Sequence, residues 1–160
     1  ISGIPEVTRS VAENQRRRGN QSILKERGFS AEHSTEAFGG FTIEGGELAT
    51  QLLLSQPNPP TAIFAMSDEM AFGALKAIRS KGLRPGADIS VIGIDDHPMS
   101  GYLGLTTVAQ PVAQLGVIAA ERLLAQMFAV NDSGPIPETV HVETVLVERQ
   151  STARSTLGEL

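Results

Sequence analysis

Two rhythms of apolar residues alternate along this chain. The segment from about residue 11 to residue 27 contains no helix breaker except Gly19, and Gly28 stands where a helix C-terminus favours glycine. Residues 35–41 are short, run into Gly39-Gly40-Phe41, and fit a strand followed by a loop. From residue 44 to residue 56 the pattern is helical, with Leu48, Leu52 and Leu53 expected on one face and Pro57-Asn58-Pro59-Pro60 ending it. Residues 61–66 form a near-continuous apolar run, as expected of a strand buried on both faces. Ser67 can then cap a helix whose apolar stripe is Met70, Ala71, Ala74, Leu75 and Ile78, closed by Gly82. A second buried strand spans 89–94 and ends in Asp95-Asp96. Pro111 suits a helix first turn, and beyond it Leu115, Ala119, Leu123 and Met127 make one ridge. After the loop 131–135, the β-branched run 139–147 predicts a final strand, and the opening residues 1–5 read as a strand end entering a turn.

Strands alternating with helices in this way predict an α/β fold, with a doubly wound parallel sheet. Composition narrows the class further. A chain of 160 residues, 41% of them hydrophobic, is long enough to bury a core of its own. Its net charge of −5 argues against a nucleic-acid-binding surface, which carries clustered basic charge. With no cysteine there is no disulfide framework, thiolate metal site or cysteine nucleophile. No apolar run reaches the roughly 18–20 residues that a membrane helix requires, and no secretory signal is visible.

In open α/β sheets, ligands bind beyond the carboxyl ends of the strands. Ser67 and Asp68 follow one strand and Asp95 and Asp96 the next. Short polar side chains there suit a polyhydroxylated ligand, because a carboxylate accepts from adjacent hydroxyls while an arginine donates to oxygens. The same residues also fit plainer roles: Ser67 and Asp68 as a helix cap, Asp95-Asp96 as a turn. Other chemistry is poorly supported. Asp95-Asp96-His97 are consecutive and do not converge as metal ligands, so no metal and no cofactor are expected. No catalytic nucleophile and base can be assembled, and the glycine pairs make neither a dinucleotide fingerprint nor a phosphate loop. Arg16, Arg17 and Arg18 point in different directions on a helix, which suits a solvated surface with one inward arginine rather than a DNA-reading face.

Longer motifs carry a resemblance. TAIFAMSDEMAFGALKAIRSKGL, ISVIGIDD, LTTVAQPVAQLG and VLVERQST occur in that order between Thr61 and Thr152, preceded by RRRGNQSILKERGF. Together they resemble the effector-binding domain of the lactose-repressor/galactose-repressor (LacI/GalR) family of bacterial transcription regulators. The resemblance implies a periplasmic-binding-protein-like fold (type I), with this chain supplying mostly the C-terminal lobe. Residues 1–110 then belong to that lobe, 111–137 form a helix of the N-terminal lobe, and 138–160 return as the final strand and a tail. It also implies that Arg16 grips the ligand, Phe41 stacks on it, Asp95 binds its hydroxyls and Gln110 lines the pocket. Ser67 stands where many members carry a ligand-binding asparagine, and the stretch around Ser10 and Ala12 is less polar than in other members.

The function so implied is the sensing of a small-molecule effector, a sugar or similar polar compound, by a cytoplasmic regulator that is not an enzyme. Operator DNA would be contacted through an N-terminal headpiece absent from this chain. A homodimer is expected through Phe72, Tyr102 and Leu103, with no membrane partner, and contact between Asp95 and Arg16 is expected when no ligand is bound. The alternative is a periplasmic sugar-binding protein of an uptake system.

Overall fold

A computed structural model describes residues 11–29, 34–128 and 139–154. Helix α1 (Val11–Glu26) ends in a left-handed Gly28 (φ 81), whose N–H donates to the Lys25 carbonyl while that of Phe29 donates to Leu24. These two bonds satisfy carbonyls that the helix end leaves open. Helix α2 (Ile43–Leu54) starts at Thr42, whose side chain accepts from the Gly45 N–H at 3.0 Å. Strand β1 (Ala62–Phe64) leads through the cap residue Ser67 into α3 (Asp68–Ser80). Then follow β2 (Ser90–Asp95), a short α4 (Pro98–Leu103), β3 (Thr106–Ala109), α5 (Val112–Phe128) and β4 (Val145–Val147).

The strands lie in the order β1-β2-β3-β4. β1, β2 and β3 are parallel, with Ile63 beside Val91 and Asp95 beside Ala109, while β4 runs antiparallel to β3. The parallel sheet expected from the alternating pattern is therefore a mixed sheet with an antiparallel edge strand, a common variation on α/β folds. Two elements, α4 and β3, escape periodicity because each is too short to develop it. Conversely, only 145–147 of the run 139–147 pair as a strand, and no strand forms over the described part of 35–41 beyond a lone bridge at Phe38. The residues 1–5, Ser10 and the loop 131–135 lie outside the described residues.

The core gathers around α3. Every member of its expected stripe is buried: Met70, Ala71, Ala74, Leu75 and Ile78 join Ile63, Val91 and Leu105 from the sheet. On α2 the expectation holds for Leu53 but not for the other two leucines. Gly46, Ala49, Thr50 and Leu53 face inward, whereas Leu48 and Leu52 are 66% and 60% exposed. The reason is the closeness of α2 to α3. A Cβ at Gly46 would come within 2.2 Å of the Met70 carbonyl oxygen, and one at Gly73 within 2.0 Å of that of Ile43. Backbones so close exclude large side chains from the point of contact, and Leu48 and Leu52 lie on the exposed flank. This crossing fixes the start of α2, just after Phe41, relative to the start of α3, just after Ser67.

Candidate functional site

Because β1, β2 and β3 are parallel, their carboxyl ends share one edge of the sheet. Met66 and Ser67 follow β1, Asp95 ends β2, and Gln110 follows β3. Arg16 arrives from α1 and donates Nη1–H to the Met66 carbonyl at 2.8 Å. Gln110 donates Nε2–H to Asp95 Oδ1. Four of the five expected ligand residues thus meet at one edge: Arg16, Ser67, Asp95 and Gln110. Phe41, the fifth, precedes α2 with left-handed backbone (φ 56) and is half-buried against the apolar core.

The electrostatics single out Asp95. Burial raises its pKa above the ordinary carboxylate value, opposed by the Arg16 charge and the Gln110 hydrogen bond and reinforced by the nearby Asp68 and Glu69 charges. Arg16 therefore acts on Asp95 through space. The direct pairing expected between them is not formed, since among the described residues no ion pair joins the two; one guanidinium N–H goes instead to the Met66 carbonyl, tying α1 to the end of β1. Ser67 is buried, and its oxygen caps α3 by accepting from the Met70 N–H at 3.3 Å. The capping role weighed for it from the sequence is real, and it leaves the hydroxyl hydrogen to be donated elsewhere.

The backbone at the acid pair departs from ordinary geometry. Asp95 has φ 127 and Asp96 φ 54, a region that L-residues seldom enter. A set of polar groups holds this turn. Fully buried Asp68 accepts at Oδ2 from the His97 N–H (2.8 Å) and Ser100 Oγ (2.6 Å), and at Oδ1 from Thr107 Oγ1 (2.6 Å). Thr107 Oγ1 in turn accepts from the Asp96 N–H at 3.3 Å. From the other side, Arg149 pairs with Asp96 Oδ1 at 2.8 Å and donates to the Leu105 carbonyl at 2.8 Å. Sequence reasoning weighed Asp68 as a strand-end ligand residue or part of a helix cap, and gave Thr107 and Arg149 no role. The sole signal was their presence within LTTVAQPVAQLG and VLVERQST.

The expected subunit contacts are dispersed in character. Phe72 is buried in the core, its ring edge-on to His97 with centroids 5.6 Å apart. Leu103 is half-buried against the same core, and Tyr102 is 88% exposed. Among the described residues no three histidine or acidic side chains converge as metal ligands, and no helix is long and apolar enough to cross a membrane.

A four-stranded, mostly parallel sheet with a polar cluster at the strands' carboxyl edge defines an α/β domain of the periplasmic-binding-protein type. Residues 2–152 match the periplasmic binding protein-like domain, and the chain belongs to that family, within its LacI-type regulators. It is 38% identical over 144 residues to the probable HTH-type transcriptional repressor ExuR of Bacillus subtilis (strain 168), covering 89% of this chain and 42% of that protein. A probable transcription regulator from Thermus thermophilus superposes with a TM-score of 0.80 at 39% identity, over 96% of this chain and 58% of that one. A LacI family transcriptional regulator from Enterococcus faecium, solved with bound ribose, gives a TM-score of 0.73 at 29% identity, over 88% and 51%. The chain thus spans about two fifths of the length of its B. subtilis relative.

Proposed function

We propose that this chain is the greater part of one effector-binding lobe of a cytoplasmic transcription regulator, and that it grips a sugar or similar polyol at the carboxyl edge of its sheet. The observation that carries this reading is the convergence of Arg16, Ser67, Asp95 and Gln110 on that edge. Their unused hydrogen-bonding capacity is mixed. An ionised Asp95 offers acceptors only, Gln110 keeps its carbonyl oxygen, and Arg16 and Ser67 keep donors. Sugar hydroxyls, which donate and accept at once, satisfy such a set, and Phe41 supplies an apolar face for C–H groups. The bound ribose of the E. faecium regulator makes D-ribose the first compound to try.

The role is binding rather than catalysis. Operator contact falls to a helix-turn-helix headpiece carried elsewhere in the protein, since a net charge of −5 suits this chain poorly to phosphates. Effector binding would bias the protein between lobe arrangements, which requires one arrangement to bind the effector better than the other. α5 supports a second lobe: none of its residues is buried, and Val112, Leu115, Val117, Leu123 and Leu124 are exposed. We assign exposed Tyr102, with half-buried Leu103 beside it, to a homodimer contact; Phe72, expected there too, is buried in the core. The uptake-protein alternative is not favoured, because the relatives above are regulators.

The test is titration calorimetry of the full-length protein with D-ribose, D-galactose, D-glucose and adenosine, followed by Asp95→Asn and Arg16→Met. Removing a ligand-bonded charge should weaken binding about ten- to hundredfold. If both variants bind as tightly as the parent, the site assignment is wrong.

A further inference from the structure

Resting on the site reading above, we propose that Thr107, Asp68 and Arg149 are positioning residues for the effector: they clamp the strained Asp95-Asp96 turn so that the Asp95 carboxylate faces the ligand.

The geometry sets this clamp apart from ordinary packing. Two consecutive aspartates hold positive φ, 127 and 54, a conformation that persists in L-residues only where the surroundings enforce it. The enforcement is visible on both sides of the turn. Inside, the Thr107 hydroxyl accepts from the Asp96 N–H and donates to Asp68 Oδ1. Asp68 takes the next amide, that of His97, on its other oxygen. Outside, the Arg149 guanidinium spans the Asp96 carboxylate and the Leu105 carbonyl, tying the turn to the start of β3. Gly93 contributes by absence, since a Cβ there would lie 2.1 Å from Asp68 Oδ1 and displace the carboxylate.

The clamp is also separated from the ligand. Thr107 is 0% exposed and Asp68 is fully buried, and each already has protein partners for its polar atoms. Neither can touch an effector, so any influence on binding passes through the turn. Arg149 meets Asp96, the acid not assigned to the ligand. The pair thus divides its work, with Asp96 and the two backbone amides fastened to the protein and Asp95 left for the effector.

The experiment uses the full-length protein with Thr107→Val, which keeps the shape and deletes the hydroxyl, Thr107→Ser, which restores it, and Arg149→Met. Hydrogen–deuterium exchange is followed at Asp96 and His97 against the β2 amides, and D-ribose is titrated by calorimetry. Expected are turn amides exchanging at least about tenfold faster in Thr107→Val and Arg149→Met with β2 unchanged, parent-like exchange in Thr107→Ser, and ribose affinity falling and returning in step. Unchanged turn exchange in the valine and methionine variants would overturn the proposal. So would acceleration of the turn and β2 by one common factor, which marks a merely structural role. Should Thr107→Val fail to fold, Arg149→Met with the parent decides alone. A parent that does not bind ribose counts against ribose as effector, and the exchange comparison then upholds or overturns the clamp by itself.

Discussion

Replacing Gly73 with alanine sets two known effects against each other with opposite signs. In a helix interior, alanine is favoured over glycine by about 1 kcal/mol, so propensity alone says the variant is stabilised. The structure says otherwise. The added Cβ would stand 2.0 Å from the Ile43 carbonyl oxygen and 2.4 Å from the Glu47 nitrogen, both backbone atoms of α2. Ordinary carbon–oxygen contact is about 3.3 Å, so α2 must retreat by about 1.3 Å. Overpacking typically costs about 1–3 kcal/mol, and an obstacle made of helix backbone belongs at the upper end. The net loss is then about 2 kcal/mol, a fall in Tm of about 4–8 °C for a domain of this size. Because α2 begins just after Phe41 and α3 just after Ser67, the retreat should also weaken effector binding. Gly19→Ala is the control: Gly19 lies inside α1 with nothing within 4 Å of its added Cβ, so propensity should act unopposed and raise Tm. Thermal unfolding followed by circular dichroism reads both. A Gly73→Ala variant as stable as the parent, or more so, would refute the argument that backbone contact sets the α2–α3 spacing.

Two further outcomes follow from the site. Ser67→Ala should cost about 1 kcal/mol of stability through loss of the α3 cap, measurable by denaturant unfolding; no loss would mean that the 3.3 Å bond contributes nothing. Asp95 has a raised pKa in the fold, so its ionisation penalises the folded state; the penalty is absent below the unfolded carboxylate value of about 3.9 and grows as pH rises through the folded one. The Tm advantage of Asp95→Asn over the parent should therefore widen from about pH 3 to pH 7, and a gap that stays constant or narrows would contradict it.

The sequence was most readable where burial is complete and long-range partners are few. All five residues of the α3 stripe proved buried, and Ser67 starts α3 and Gly28 closes α1 as their types suggest. Reading failed where the partner is distant. β3 offers Thr106 and Thr107, which look polar and exposed in isolation. Both are buried because Ser151 bonds the Thr106 amide, Thr152 meets its hydroxyl, and Asp68 takes the Thr107 hydroxyl, from 45, 46 and 39 residues away. Leu48 and Leu52 misled for the converse reason: the α2 seam selects for smallness, which hydrophobicity does not encode. Within the site, the strand-end rule brought out Asp95 from position alone, whereas Arg16 as the inward arginine and Gln110 came through the family resemblance. The clamp behind Asp95 depends on backbone angles that residue types do not reveal.

Those angles make a separate claim that two substitutions at one position can isolate. Asp95→Ala and Asp95→Gly both delete the carboxylate, the Gln110 bond and the cost of burying charge. They differ in the backbone: at φ 127 alanine keeps the penalty of a β-carbon in a disfavoured region, and glycine does not. Relief of about 1–3 kcal/mol in the folded state is opposed by the extra freedom of glycine in the unfolded chain, about 0.5–1 kcal/mol. The glycine variant should therefore be the more stable by about 1–2 kcal/mol, with effector binding lost in both. Denaturant unfolding at one pH gives the difference directly, and the lost side-chain interactions cancel between the two. If alanine is as stable as glycine, the turn stores no strain. If glycine is the more stable and neither variant binds effector, the fold holds Asp95 in a costly conformation for the sake of its carboxylate, which is the physical signature of a residue kept for binding rather than for folding.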